Sequence, residues 1–129
     1  VDLHGVLAIE IVSTSSGSIY VNELAPRPHN SGHYSIEACN TSQFDAHIRG
    51  ICGWPLGEVT LLSPAVMVNI LGEDVEKTYQ QIQRQPDWQF HYYGKKESKK
   101  GRKMGHITIV TNDVEATKEQ IKQTNIWLR

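Results

Sequence analysis

The chain has 129 residues, 39% of them hydrophobic, and a formal net charge of -1 at pH 7. That length suits one compact domain or two small lobes. The near-neutral charge excludes a general pull towards nucleic acid or an anionic membrane, and no apolar run approaches a membrane-spanning length.

The chain opens Val1-Asp2-Leu3-His4, without an initiator Met, and runs at once into apolar residues, as a trimmed or processed fragment would. Residues 6–12 and 19–24 are β-branched and apolar, and the Ser/Thr/Gly-rich stretch 13–18 between them is turn chemistry. Together they predict an antiparallel hairpin. The turn Ala25-Pro-Arg-Pro-His-Asn30 stops its second strand, because proline cannot donate to a ladder. Ile36, Cys39, Phe44, Ile48 and Ile51 recur at roughly helical spacing and predict one helix over 36–52, closed by Gly53-Trp-Pro55. Residues 59–71 read as a strand interrupted at Pro64. A short helix is expected over 75–84, a strand over 88–93, a basic loop over 94–101 and a strand over 104–110. Asn112 or Asp113 caps a last amphipathic helix from Val114 to about Thr124. The order is ββα-β-αββα with no glycine-rich phosphate loop after a strand, which predicts an α+β fold with a soft boundary near Gly57.

Three groups of residues can carry chemistry. Glu10 lies inside an apolar strand and Glu23 ends the facing one, with Asn22 beside it. Hard oxygen ligands on neighbouring strands suit Mg²⁺ or Mn²⁺ bridging nucleotide phosphates; equally, Glu10 can sit on the solvent face of a half-exposed strand. Arg27, His29, Asn30 and His33 converge on the proline-stiffened turn that follows. They can hold a small planar anion such as bicarbonate, which the guanidinium fork matches, or simply be a polar surface loop. Finally, Lys95, Lys96, Lys99, Lys100, Arg102 and Lys103 put six cations into nine positions. Such a loop can grip a phosphate, bind nucleic acid weakly, or be a solvated charge run; few aromatics interleave with it, which disfavours stacking on single strands. Cys39 and Cys52 form neither a disulfide framework nor a zinc motif, so reduced cytoplasmic thiols are expected. His4, His47, His91 and His106 have no metal-ligand spacing and read as structural or surface residues.

Gly5-Val-Leu-Ala-Ile-Glu10, Val21-Asn-Glu-Leu-Ala-Pro-Arg-Pro-His-Asn-Ser-Gly-His33 and Thr41-Ser-Gln-Phe44 closely resemble the carboxyaminoimidazole ribonucleotide synthase family. Tyr93-Gly-Lys95 and Gly101-Arg-Lys-Met-Gly-His106 extend the likeness to about residue 110. The resemblance implies the carboxy-terminal half of an ATP-grasp domain over 1–57. It further implies a small β-rich lobe, barrel-sandwich-hybrid-like, over 58–129. It implies a carbon–nitrogen ligase of de novo purine synthesis, in which ATP and bicarbonate give carboxyphosphate and the amine of aminoimidazole ribonucleotide is then carboxylated. Glu10 and Glu23 match the family's paired metal ligands, and Asn22 and Glu23 match its positions beside the ATP phosphates. Arg27 and His29 match positions that bind bicarbonate and steady carboxyphosphate, and Lys95 and Arg102 match residues that hold the ribonucleotide phosphate. Biotin-dependent relatives carry a further amide ligand two residues after the last Glu; here that residue is Ala25, so the metal is expected on Glu10 and Glu23 alone.

The resemblance further implies a cytoplasmic homodimer at full length, with small-molecule partners and neither nucleic acid nor membrane. The chain by itself is expected to be inactive, because the adenine clamp lies elsewhere in the family's sequence and catalysis needs the reactants held together. The competing readings are a non-catalytic anion- or nucleic-acid-binding module built on loop 95–103, and a formate-using transformylase of the same superfamily. The Arg-Pro-His-Asn-Ser-Gly-His run favours the bicarbonate user.

Overall fold

A computed structural model describes residues 2–127 of the chain. Its contacts divide it into two units, the first ending at Leu61 and the second starting at Leu62.

In the first unit, β1 (Ala8–Ser13) and β2 (Ile19–Ala25) pair antiparallel as the sequence predicts. Thr14 and Ser18 close the turn with a 2.9 Å backbone bond, and Gly17 takes a φ of 84° there, a left-handed conformation natural to glycine. The ladder is irregular: Glu10 faces Glu23, but Ile11 faces Val21, so Asn22 is the extra residue of a β-bulge. After Ala25, which is buried, the prolines lead into a 3₁₀ turn (Asn30–Gly32) and two helices, α1 (Ser35–Ala38) and α2 (Gln43–Cys52).

The single helix expected over 36–52 is therefore broken. Cys39 is extended and bridges Leu61, and Asn40 pairs with the returning chain. Its Nδ2 donates to Glu58 O at 2.9 Å, and its Oδ1 accepts from Thr60 N–H at 2.8 Å. These long-range bonds outcompete the helical ones between the helices. Ser42 then caps α2, its Oγ accepting from Asp45 N–H at 3.1 Å, and Gly53 ends it with φ 65°.

In the second unit, β3 (Ala65–Leu71), β5 (Lys103–Val110) and β4 (Gln89–Tyr92) form an antiparallel sheet in that order. Central β5 is buried from Met104 to Ile109. Ile107 lies between Val68 and Phe90, and this face packs with Ile70, Ile109, Trp88 and Ile121 into the core. Ile121 comes from α4 (Val114–Gln123), which Asp113 caps by accepting Ala116 N–H at 2.9 Å. The strand expected over 59–71 begins only after Pro64, because 58–60 is engaged by Asn40. The helix expected over 75–84 is α3 (Val75–Tyr79), followed by three-residue turns. Pro86 disfavours helical backbone at the residue before it. Among the described residues no helix is long and apolar enough to cross a membrane.

Candidate functional site

The bulge at Asn22 builds the first site. Cross-strand partners share a face, so Glu10 and Glu23 stand side by side. In a regular strand Asn22 would point to the opposite face; the extra residue brings its amide round, and Nδ2 donates to Glu10 Oε1 at 3.0 Å. Two neighbouring carboxylates repel, and they sit where a cation would relieve them. Arg27, four residues after Glu23, places Nη2 3.4 Å from Glu23 Oε1, while Nη1 donates to Pro28 O at 3.1 Å. Its fork is thereby held at the edge of the acidic pair.

His29 closes the group. Its side chain is 15% exposed, and Nε2 lies 3.8 Å from Glu10 Oε2. Its Nδ1 is engaged by Ser31, at 2.8 Å from the hydroxyl and 3.4 Å from the N–H. Ligand atoms of Glu10, Glu23 and His29 all lie within 4.8 Å of one another. This set of two carboxylates and one imidazole fits a divalent cation of the Mg²⁺ or Mn²⁺ type. A third donor, His29, thus stands beside the two carboxylates that the sequence singles out. The structure brings together five of the residues singled out from the sequence: Glu10, Asn22, Glu23, Arg27 and His29.

Lys95 and Arg102 lie in the second unit, on a loop that is built rather than loose. Ser98 Oγ donates to Gly72 O at 2.9 Å, and Gly101 N–H donates to Glu73 Oε2 at 2.7 Å. Lys95 Nζ donates to Lys103 O at 2.6 Å and rides 5.5 Å from the centre of the Tyr93 ring. Tyr93 in turn shares a 2.8 Å hydrogen bond with His106 Nδ1. Lys95, Lys96, Ser98, Tyr79 and Tyr92 line a cleft of about 180 Å³. Arg102 is not on that cleft; its Nη1 donates to Glu97 O at 3.3 Å. Lys99 pairs with Glu97 at 2.8 Å. Burial raises the phenol pKa of Tyr92 and of Tyr93; at Tyr92 the hydrogen bond to Thr78 works against that rise and nearby Tyr79 adds to it.

Gln43 lies in the Thr41-Ser-Gln-Phe44 run, and its role is not visible in the sequence. In the structure its side-chain amide reaches back to the His29 backbone, accepting N–H at 2.9 Å and donating to the carbonyl at 2.8 Å. One turn further along α2, His47 Nδ1 accepts Val6 N–H at 3.1 Å, just ahead of β1. The local signals are the Thr41-Ser-Gln-Phe44 run for Gln43 and a helical position after a His-rich turn for both.

Two family models match the chain. Residues 1–44 match the ATP-grasp domain, and residues 65–120 match the phosphoribosylaminoimidazole carboxylase C-terminal domain. The N5-carboxyaminoimidazole ribonucleotide synthase of Staphylococcus saprophyticus is 51% identical over 118 residues, which is 91% of this chain and 32% of that protein. The crystal structure of N5-carboxyaminoimidazole synthetase from Staphylococcus aureus complexed with ADP matches with a TM-score of 0.90 and 47% identity, over 96% of this chain and 34% of that one. The N5-carboxyaminoimidazole synthase of Aspergillus clavatus, in complex with ADP and 5-aminoimidazole ribonucleotide, matches with a TM-score of 0.83 and 36% identity, over 94% and 34%. The chain spans about a third of the length of the curated relatives it matches.

Proposed function

We propose that this chain, through its likeness to the N5-carboxyaminoimidazole ribonucleotide synthases, supplies the metal, phosphate and bicarbonate residues of an ATP-dependent ligase site. The reaction is carboxylation of 5-aminoimidazole ribonucleotide by bicarbonate, with ATP converted to ADP and phosphate. The observation that carries this reading is the convergence of Glu10, Glu23, Asn22, Arg27 and His29 at one bulged hairpin end. A carboxylate pair alone would be a weak signal; a pair with an orienting amide, a guanidinium fork and a half-buried imidazole is a site for phosphate and a small anion.

Glu10 and Glu23, with His29 at hand, would hold a divalent cation, which would offset negative charge on the ATP phosphates during transfer of the γ-phosphoryl group. Asn22 fixes the Glu10 carboxylate by its 3.0 Å bond. Arg27 presents planar donors to bicarbonate, and Glu23 holds that fork in place. His29 steadies the carboxyphosphate formed when a bicarbonate oxygen attacks the γ-phosphorus and ADP leaves. The ribonucleotide amine then attacks the carboxyl carbon, and inorganic phosphate departs. Lys95 and Arg102 hold the ribonucleotide phosphate; the loop's anchorage to Gly72 and Glu73 supports this, because a phosphate site needs its cations fixed in place. The second unit's antiparallel sheet is read as part of a barrel-sandwich-hybrid-like lobe, and the likeness to the synthases is the ground for reading the protein as cytoplasmic.

Isothermal titration of the chain with Mn²⁺ and with magnesium-ATP tests the carboxylate pair. Glu23→Gln should weaken both by about tenfold or more, the loss of one charged ligand. Equal binding by the wild-type chain and the variant would remove Glu23 from the metal and from this reading.

A further inference from the structure

We infer that Gln43 is a positioning residue for His29, setting the imidazole against the Glu10–Glu23 pair through the backbone. This rests on the reading of that pair as a metal site. The Gln43 amide makes two parallel bonds to one residue, accepting His29 N–H at 2.9 Å and donating to His29 O at 2.8 Å. A neighbouring strand would bond that backbone in the same way, and here a side chain supplies the pairing. The amide's second hydrogen goes to His33 Nδ1, at 2.7 Å. With both hydrogens committed, the amide has one orientation, because the flipped form would set Oε1 against the His29 carbonyl.

The clamp is itself anchored. Gln43 is the first residue of α2, and its own N–H donates to Ser35 Oγ at 2.9 Å. A methyl group at Gly32 would fall 2.6 Å from Gln43 Oε1, so glycine there keeps the amide's path open. His29 follows Pro28, whose ring fixes its own φ, and takes extended backbone angles of -122° and 149°. With the backbone clamped and Nδ1 engaged by Ser31, Nε2 is the ring nitrogen left towards Glu10, at 3.8 Å. Only a primary amide offers donor and acceptor side by side at this reach: glutamate lacks the donor, and asparagine is one methylene shorter.

The test uses Mn²⁺ as a paramagnetic probe on the 129-residue chain, because its broadening of NMR signals falls steeply with distance. In the wild-type chain Mn²⁺ should broaden both the Asn22 side-chain amide and the His29 ring. Gln43→Met keeps the length and removes all three bonds. With Mn²⁺ at saturation Asn22 should then broaden as before, while the His29 ring loses about half its broadening or more. The His29 amide should exchange about tenfold faster, the loss of its hydrogen bond to Gln43 Oε1. A His29 ring still broadened to the wild-type extent, with its amide still protected, overturns the inference. If Gln43→Met does not fold, Gln43→Glu loses the donor side but still accepts the His29 N–H, so the His29 ring alone is read there, and a ring broadened to the wild-type extent overturns the inference. If Mn²⁺ fails to broaden Asn22 in the wild-type chain, the metal reading fails instead, and the His29 amide exchange decides the role of Gln43 by itself.

Discussion

Gly72→Ala asks whether the basic loop is a built anchor or a solvated charge run. A methyl group at Gly72 would meet the Lys99 carbonyl, with the carbonyl carbon at 2.6 Å and Lys99 N at 2.9 Å, where ordinary contact begins near 3.4 Å. Both sides of the clash are backbone, so no rotamer change relieves it. Gly72 is the firmer side: it follows β3, and Leu71 N–H donates to the buried Asp74 carboxylate at 3.1 Å. The loop must therefore move by most of an ångström. That movement strains the Ser98–Gly72 bond at 2.9 Å and the charge-assisted Gly101–Glu73 bond at 2.7 Å. Losing one neutral and one charged bond, both exposed, costs about 1–3 kcal/mol. Urea unfolding followed by Trp88 and Trp127 fluorescence reads the loss, and amide exchange at Gly101 localises it. A midpoint shift worth less than about 0.5 kcal/mol, with the Gly101 amide still protected, would refute the reasoning.

Two further outcomes follow from the second unit. Burial raises Tyr92 and Tyr93 above 10.0, so on unfolding they ionise more readily than in the native state; their contribution is intact below about pH 10 and is lost as pH rises through the native values. Urea midpoints should therefore fall on the alkaline side of pH 10, with phenolate absorbance appearing late in the native chain; midpoints that stay flat through that range would contradict this. Asp113→Ala removes the cap of α4 and should cost about 1 kcal/mol by urea unfolding, while Asp113→Asn, which can still accept the Ala116 N–H, should cost much less.

The hairpin, the prolines after it, and the strand–loop–strand of the second unit were legible because period-2 apolar runs and turn residues are local signals. The candidate residues around the hairpin were legible too, since Glu10, Glu23, Arg27 and His29 are separated by one turn and one strand. What the sequence hid is what depends on distant partners. Ile36 to Ile51 keep helical spacing, yet Asn40 spends its side chain on Glu58 and Thr60, and the helix breaks there. The bulge that turns Asn22 to the carboxylate face is a single unpaired residue with no compositional mark. Gln43 falls inside the helix predicted over 36–52 and carries no mark of its role, because its partners are fourteen and ten positions away. The cations of the basic loop looked alike in sequence, whereas three are tied to loop groups: Lys95 to the Lys103 carbonyl, Arg102 to the Glu97 carbonyl and Lys99 to the Glu97 carboxylate.

One turn of α2 separates Gln43, which holds the chain after β2, from His47, which holds the chain before β1. Gly50, a methyl-free surface pressed against Gly5, keeps that helix close to the β1 side. The two arms of the hairpin site are thus fastened to a single short rod. Fraying of its first two turns would release Val6 and His29 in one event, so both flanks of the acidic pair share a common opening free energy. Selection acting on either flank then acts on the helix, and a substitution that only loosens α2 is felt as a loss of geometry some distance from where it was made.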